Sequence, residues 1–126
     1  MEAKKIIQFI GLAIVVAAVT KCILMLSAEP RDSYVFFNFK GSDVWFFYVL
    51  AVVGFLGGVA CSLPFWLVGL AVISPLPIAA SIEIVIKPTT HNLYGVEIFS
   101  YLILYLPISI GGAWLGKLLK RAIAPR

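Results

Sequence analysis

The residues best suited to chemistry gather in one short segment, residues 87–97, with the sequence KPTTHNLYGVE. It holds the only histidine of the chain, with a lysine, an asparagine and a glutamate nearby, and a second glutamate lies one helical turn earlier. An imidazole beside carboxylates could transfer protons or bind a divalent cation. The candidate ligand-binding or proton-relay residues are therefore His91, Glu83, Glu97, Asn92 and Lys87.

The same polar residues also suit a purely structural junction between two helices. Glu83 precedes Lys87 by four residues, which is the favoured order for an ion pair on a helix. Pro88 disfavours helical geometry at the residue before it, so a helix should end there. Asn92 can cap the next helix, and Glu97 near its start would face the positive end of the helix dipole. The segment is either a functional site or a hydrogen-bonded clasp, in which the histidine bridges to an outer-face carboxylate.

Nothing else in the sequence has the spacing of a catalytic or metal-binding motif. Cys22 and Cys61 form no CxxC pair, and no nucleophile lies beside a base. We therefore predict no catalytic residue, no metal and no cofactor. An enzyme acting on lipids or their headgroups through His91, with Glu83 or Glu97, is a further alternative for which no reaction can be identified.

The composition is that of a membrane protein. Hydrophobic residues make up 62% of the chain and charged residues 13%, with a mean hydropathy of +1.05. Soluble domains carry about 25% charged residues. The net charge is +4, but the basic residues flank apolar runs instead of forming one patch. This pattern predicts a multi-pass protein of the inner (plasma) membrane with the lipid bilayer as its partner, and it argues against nucleic acid.

The apolar runs are long enough for four membrane crossings, because about 20 residues span a hydrocarbon core of about 30 Å. The first run follows MEAKK, as in a signal peptide, but its only small-residue cleavage site is a weak Leu-Ser-Ala at 26–28, so we expect it to be retained. The prediction is a single transmembrane domain, 1–126, with helices at about 6–27, 44–61, 64–86 and 97–116 and outer loops at 28–43 and 87–96.

The charges and tryptophans predict how this four-transmembrane-helix bundle is oriented. Lysines and arginines cluster near both termini, which places both termini in the cytoplasm by the positive-inside rule. An even number of spans agrees with that orientation. Trp45, Trp66 and Trp114 all fall at predicted helix boundaries, where tryptophan is enriched.

Small residues and prolines predict how the helices pack. Glycines spaced as GxxxG allow close backbone approach, either within the bundle or in a homodimer, and both alternatives stay open. Pro75 and Pro77 should kink the third helix. Such breaks expose backbone groups to substrates in transporters, although neighbouring helices and serine hydroxyls can also satisfy the freed carbonyls. The candidate helix-packing residues are Gly54, Gly58, Gly112 and Gly116.

The segment PTTHNLYGVE resembles the Pro-Thr-Ser-His-Asn-Leu-aromatic-Pro-aromatic-Glu segment of small uncharacterised bacterial four-helix membrane proteins. The resemblance covers about ten of the 126 residues. It departs from the pattern where Thr90 replaces serine, Gly95 replaces proline and Val96 replaces the aromatic residue. It implies a bacterial inner-membrane protein and brings no activity with it. The matched positions that form the core of the segment are Pro88, His91, Asn92 and Glu97.

Two functions compete on this basis. The first is a small integral membrane protein without enzymatic chemistry, acting through helix–helix assembly as a homo-oligomer or as an accessory subunit of a larger membrane complex. The second is a small transporter or channel with an outer-face polar site around His91, Glu83 and Glu97. Four-helix drug exporters and fluoride channels have similar lengths, but the membrane-embedded glutamate in helix one of the exporters is absent here, and so is any fluoride-channel signature.

Overall fold

A computed structural model describes residues 2–27, 44–86 and 94–124, and all regular secondary structure within these ranges is helical. The all-helical prediction is therefore confirmed for the described residues. The predicted outer loop at 28–43 lies outside them, as do residues 87–93 of the second loop. The helices are α1 (Ala3–Ser27), α2 (Val44–Ala60), α3 (Phe65–Ile73), α4 (Pro75–Ile86), α5 (Tyr94–Ser100) and α6 (Leu106–Ile123), with a π-helical turn at Tyr101–Tyr105.

These helices form four rods within the described residues. Only Ser74 separates α3 from α4, and the π-helical turn joins α5 to α6. Two of the rods contain segments long and apolar enough to cross a membrane, Phe65–Ile86 and Ile98–Ile123. The second rod contributes a shorter apolar helix, Phe47–Ala60.

Two rods are longer than their apolar runs predict. α1 begins at Ala3, before the expected start at about residue 6, because the backbone amides of Lys5 and Ile6 both donate to the Glu2 carbonyl. The last rod begins at Tyr94 instead of about 97 and continues to Ile123 instead of about 116. Its final turns are rich in leucine, lysine and arginine, which favour helices, and cations interact well with the negative end of the helix dipole.

The third rod is interrupted at Ser74, where the sequence predicts a proline kink. Pro75 has no amide proton, so the carbonyl of Ala71 loses the donor that a regular helix would provide. The Ser74 hydroxyl donates to this same carbonyl at 2.9 Å. Two turns later the Ser81 hydroxyl donates to the Pro77 carbonyl at 2.7 Å. A serine hydroxyl thus compensates for the missing amide at the break.

The core lies where α3 packs against three other helices, α1, α2 and α6. The contact between α2 and α6 is the most extensive in the described part of the chain. The last rod therefore lies between the second and third rods, whereas α1 packs mainly on α3. The buried apolar cluster consists of Val16, Leu50, Leu63, Val68, Val72, Ile73, Leu76 and Ala113.

Glycines allow the close approach of α2 and α6. A methyl group added to any of four glycines, two on each helix, would collide with a backbone carbonyl of the opposite helix. The two GxxxG motifs therefore face each other within one chain, backbone against backbone. The blocking carbonyls are those of Ser109, Ala113, Ala51 and Phe55 for Gly54, Gly58, Gly112 and Gly116 respectively.

Candidate functional site

The candidate site identified from the sequence falls only partly within the described residues. Lys87, His91 and Asn92 lie outside them. Glu97 belongs to α5, and Glu83 belongs to α4. The association of the histidine with the two glutamates therefore stays a prediction, and Glu83 is the member of the set whose surroundings can be described.

Glu83 is turned into the bundle. It continues the inward-facing stripe of Leu76, Ala79 and Ala80 along α4, at spacings of three and four residues. Only 7% of its surface is exposed, although it lies within a helical segment long and apolar enough to cross a membrane. Ionisable residues in such surroundings are costly and often functional. From this position a carboxylate could exchange a proton or hold a cation.

A π-helical turn shapes the last rod and places two tyrosines on the core. The rings of Tyr101 and Tyr105 stack with their centroids 5.7 Å apart, and Tyr105 also contacts the ring of Phe47 on α2 at 5.4 Å. Both tyrosines pack against the buried apolar cluster. Pro107, two residues later, cannot donate the regular bond to Ile103, and π-helical turns are one way in which a helix absorbs such a loss. Pro107 was the available signal in the sequence, and it was missed.

Ser109 links the last rod to α3 in the middle of the bundle. It is fully buried, and its hydroxyl proton is shared between the carbonyl of Gly69, at 3.2 Å, and that of Leu106, at 2.9 Å. Gly69 leaves no room for a side chain, because a methyl group there would collide with Ile110. This link was not predicted from the sequence. A lone serine within an apolar span was its only sign.

Two further hydrogen bonds tie the first and last rods to the turn between α2 and α3, at the other end of the bundle from Glu83. The Ser62 hydroxyl donates to the Gln8 side chain of α1 at 2.7 Å, and the Lys117 ammonium donates to the carbonyl of Cys61. The beginning of α1 and the end of α6 therefore lie beside the turn between α2 and α3. By its place in the sequence Lys117 is a positive charge flanking an apolar run, but it also binds a carbonyl at the end of α2, where a cation is favourable.

These contacts stabilise the bundle and do not assemble a recognisable reactive centre. Every buried side-chain nitrogen and oxygen in the described ranges has a hydrogen-bond partner. In the same ranges, no three histidines, cysteines or acids come together to hold a metal ion, and both cysteine thiols are free. Comparison of the chain with protein-family models, with curated proteins and with solved structures finds no match.

Proposed function

We propose that this chain is a multi-pass inner-membrane protein whose four rods all cross the bilayer, and that it acts by assembling with itself or with a larger membrane complex. The observation that carries the proposal is the apolar exterior of every rod. One example from each rod is Ile14 (62% exposed), Leu56 (58%), Val85 (83%) and Phe99 (63%). Soluble monomers rarely expose contiguous apolar patches larger than a few hundred Å². Lipid would cover these side chains.

Helix lengths support the same arrangement. α1 has 25 residues, or about 38 Å at ~1.5 Å per residue, against a hydrocarbon core of about 30 Å. α2 has 17 residues, the lower end of the range that spans a bilayer. In the last rod only 17% of the most apolar stretch is buried, whereas an apolar core helix in a soluble protein is mostly buried.

Assembly is favoured over chemistry because α1 leaves a broad surface for a partner. Among the described side chains of α1, that of Val16 is the buried one, and the helix contacts mainly α3. A methyl group added to Gly11 would meet nothing within 4 Å, so this face is open. In contrast, the interface between α2 and α6 is filled by the chain itself. A partner helix would therefore pack on the exposed side of α1.

Site-specific photo-crosslinking in native membranes tests this proposal. A benzophenone side chain at Ile14, which is exposed on α1, should give an adduct of defined mass with a second copy or with another membrane protein. The same side chain at Val16, which is buried, is the matched control and should give none. If Ile14, Ile10 and Val85 all give only lipid adducts, the protein acts without a partner and the assembly proposal fails.

A small transporter or channel is the second candidate, and the burial of Glu83 in an interrupted helix favours it. Transporters often use broken helices and buried ionisable groups on their ion pathways. In this case, proteoliposomes containing a trapped pH-sensitive dye should show proton flux that is lost in Glu83→Gln and reduced in His91→Ala, without a change in melting temperature. Flux no greater than in protein-free vesicles, or full flux in Glu83→Gln, would exclude this role for Glu83.

A further inference from the structure

The last rod is longer than a membrane crossing requires, and the excess lies at its basic end. The helical segment Ile98–Ile123 has 26 residues, or about 39 Å at ~1.5 Å per residue, against about 30 Å of hydrocarbon. Gly116 is the last buried residue of α6. The seven residues that follow, 117–123, form an extension of the helix in which no side chain is fully buried.

This extension is amphipathic. At about 100° per residue, its three cations fall on one side of the helix and its larger apolar residues on the other. Lys117 neighbours both other cations on the helix surface, at spacings of three and four residues. Its ammonium also bonds to the carbonyl at the end of α2. Leu118, Leu119 and Ile123 are all exposed and continue the apolar outer surface of the rod. The cations are Lys117, Lys120 and Arg121.

The start of α1 adds positive charge at the same end of the bundle. The hydrogen bond between Gln8 and Ser62 holds the beginning of α1 beside the turn to which Lys117 also bonds. Glu2, the acid described at this end, pairs with Lys5 at 3.8 Å. The remaining described acids, on α4 and α5, belong to the opposite end. The basic end, as we call it below, consists of Lys4, Lys5, Lys117, Lys120 and Arg121.

We propose that the basic end binds the phosphate headgroup of an anionic phospholipid, through Lys120 and Arg121, with the acyl chains along the apolar side of α6. This inference rests on the proposed membrane function. A phospholipid joins an anion to acyl chains, and the extension offers cations and exposed apolar side chains on adjoining sides of one helix. An acidic protein segment would match only the cations. Trp114, which is half-exposed one turn before Lys117, lies where an interfacial tryptophan would contact the lipid.

Fluorescence quenching by brominated lipids tests this proposal. Trp114 becomes the only fluorescent tryptophan in a Trp45→Phe, Trp66→Phe protein, which is placed in phosphatidylcholine vesicles. Brominated phosphatidylglycerol is then compared with brominated phosphatidylcholine at equal mole fractions. A cation near a membrane surface contributes enough attraction for about a fivefold preference. We expect phosphatidylglycerol to bind beside Trp114 at least fivefold more tightly, and the preference to fall as salt is added.

One double variant tests the two cations, and two further double variants are its controls. Lys120→Gln with Arg121→Gln should reduce the preference to about one, and both side chains are exposed, so the melting temperature should not change. Lys120→Arg with Arg121→Lys preserves the charge and should preserve the preference. Arg31→Gln with Lys40→Gln removes the same charge elsewhere and should leave the preference intact.

The possible failures are distinguishable. Equal quenching by both lipids would overturn the lipid proposal while leaving the membrane proposal in place. If oligoglutamate shifts the Trp114 emission while phosphatidylglycerol shows no preference, the surface binds an acidic protein segment and the lipid proposal is wrong. If neither brominated lipid quenches Trp114, the end of α6 is not in a bilayer, and both proposals fail.

Discussion

Single polar side chains satisfy backbone carbonyls at several critical points of the bundle. Ser74 compensates for the amide that Pro75 lacks, Ser109 binds a carbonyl of α3, and Lys117 binds a carbonyl at the end of α2. Compensation at the prolines could be anticipated from the sequence, because donor and acceptor are neighbours in the chain. The other two bonds join residues 40 and 56 positions apart, so they depend on which rods touch.

The hydrogen bond of Ser109 should contribute measurably to stability. Ser109→Ala removes the donor to Gly69 and should lower the free energy of unfolding by about 1 kcal/mol. Ser100→Ala is the matched control, because that hydroxyl bonds only within its own turn, to Val96, at an exposed position. Unfolding of both variants in detergent, followed by circular dichroism, gives the comparison. Equal stability of the two variants would contradict a role for Ser109 in joining the rods.

The candidate site shows the limit of sequence reasoning at the residue scale. The sequence predicts that Glu83 lies just within the bilayer, and the bundle encloses this side chain. Its inward direction follows from the spacing of Leu76, Ala79 and Ala80, which the sequence contains. His91 and Asn92 lie outside the described residues, so both the clasp and the proton relay stay predictions.

At the scale of elements, the apolar runs predict where the helices lie, because prolines and polar residues mark the ends of these runs. The second and third rods, predicted at 44–61 and 64–86, are Val44–Ala60 and Phe65–Ile86 with an interruption at Ser74. The fourth helix continues to Ile123, beyond the predicted end at about 116, because a hydropathy pattern marks where a membrane span ends and not where the helix ends. The π-helical turn was not foreseen, although Pro107 lies two residues after it, because proline in a helix more often predicts a kink.

The GxxxG motifs indicated close helix approach but not the partner. A small-residue face fits a helix of the same chain as well as one of a second copy. The choice depends on the tertiary arrangement, in which α2 and α6 lie side by side over most of their lengths. Within the described chain, Gly54, Gly58, Gly112 and Gly116 all meet carbonyls of the facing helix.

Two adjacent glycines of α6 provide a test of this interface. In Gly112→Ala the new methyl group would collide with the Ala51 carbonyl, so the helices must separate, and the free energy of unfolding should fall by about 1–3 kcal/mol. In Gly111→Ala the methyl group meets nothing within 4 Å, and alanine favours the helix by up to about 1 kcal/mol. Unfolding in detergent should separate the two variants. If both variants have the same free energy of unfolding, α2 and α6 are not in backbone contact at Gly112.

At the scale of the whole molecule, a prediction of sidedness needs less information than a prediction of contacts, and the sidedness of this chain stays a prediction. The positive-inside rule requires only the distribution of lysine and arginine along the chain, and no knowledge of which helices touch. The packing of α6 between the second and third rods has no comparable signature, because every rod exposes large apolar side chains. Hydrogen bonds at the basic end supply an independent constraint, since they hold both terminal regions beside the turn at 61–64.

This constraint predicts the topology of the whole chain in the membrane. In a protein with Cys22→Ala and Cys61→Ala, a cysteine at Ser62 should react with a membrane-impermeant maleimide only from the cytoplasmic side. A cysteine at Thr90, in the 87–97 segment, should react only from the outside. Reporter fusions to Arg126 and to the same segment should give cytoplasmic and extracytoplasmic signals respectively.

The pattern of labelling distinguishes two ways in which the predicted topology could be wrong. Because Ser62 bonds to Gln8 and its neighbour Cys61 bonds to Lys117, position 62 must lie on the same side as both ends of the described chain. If position 62 is labelled from outside and position 90 from the cytoplasm, the protein is inverted relative to the prediction. Its basic end then lies on the outer side, contrary to the positive-inside rule. Labelling of both positions from one side would mean that α3 and α4 together do not cross the bilayer, and the four-span arrangement would have to be abandoned.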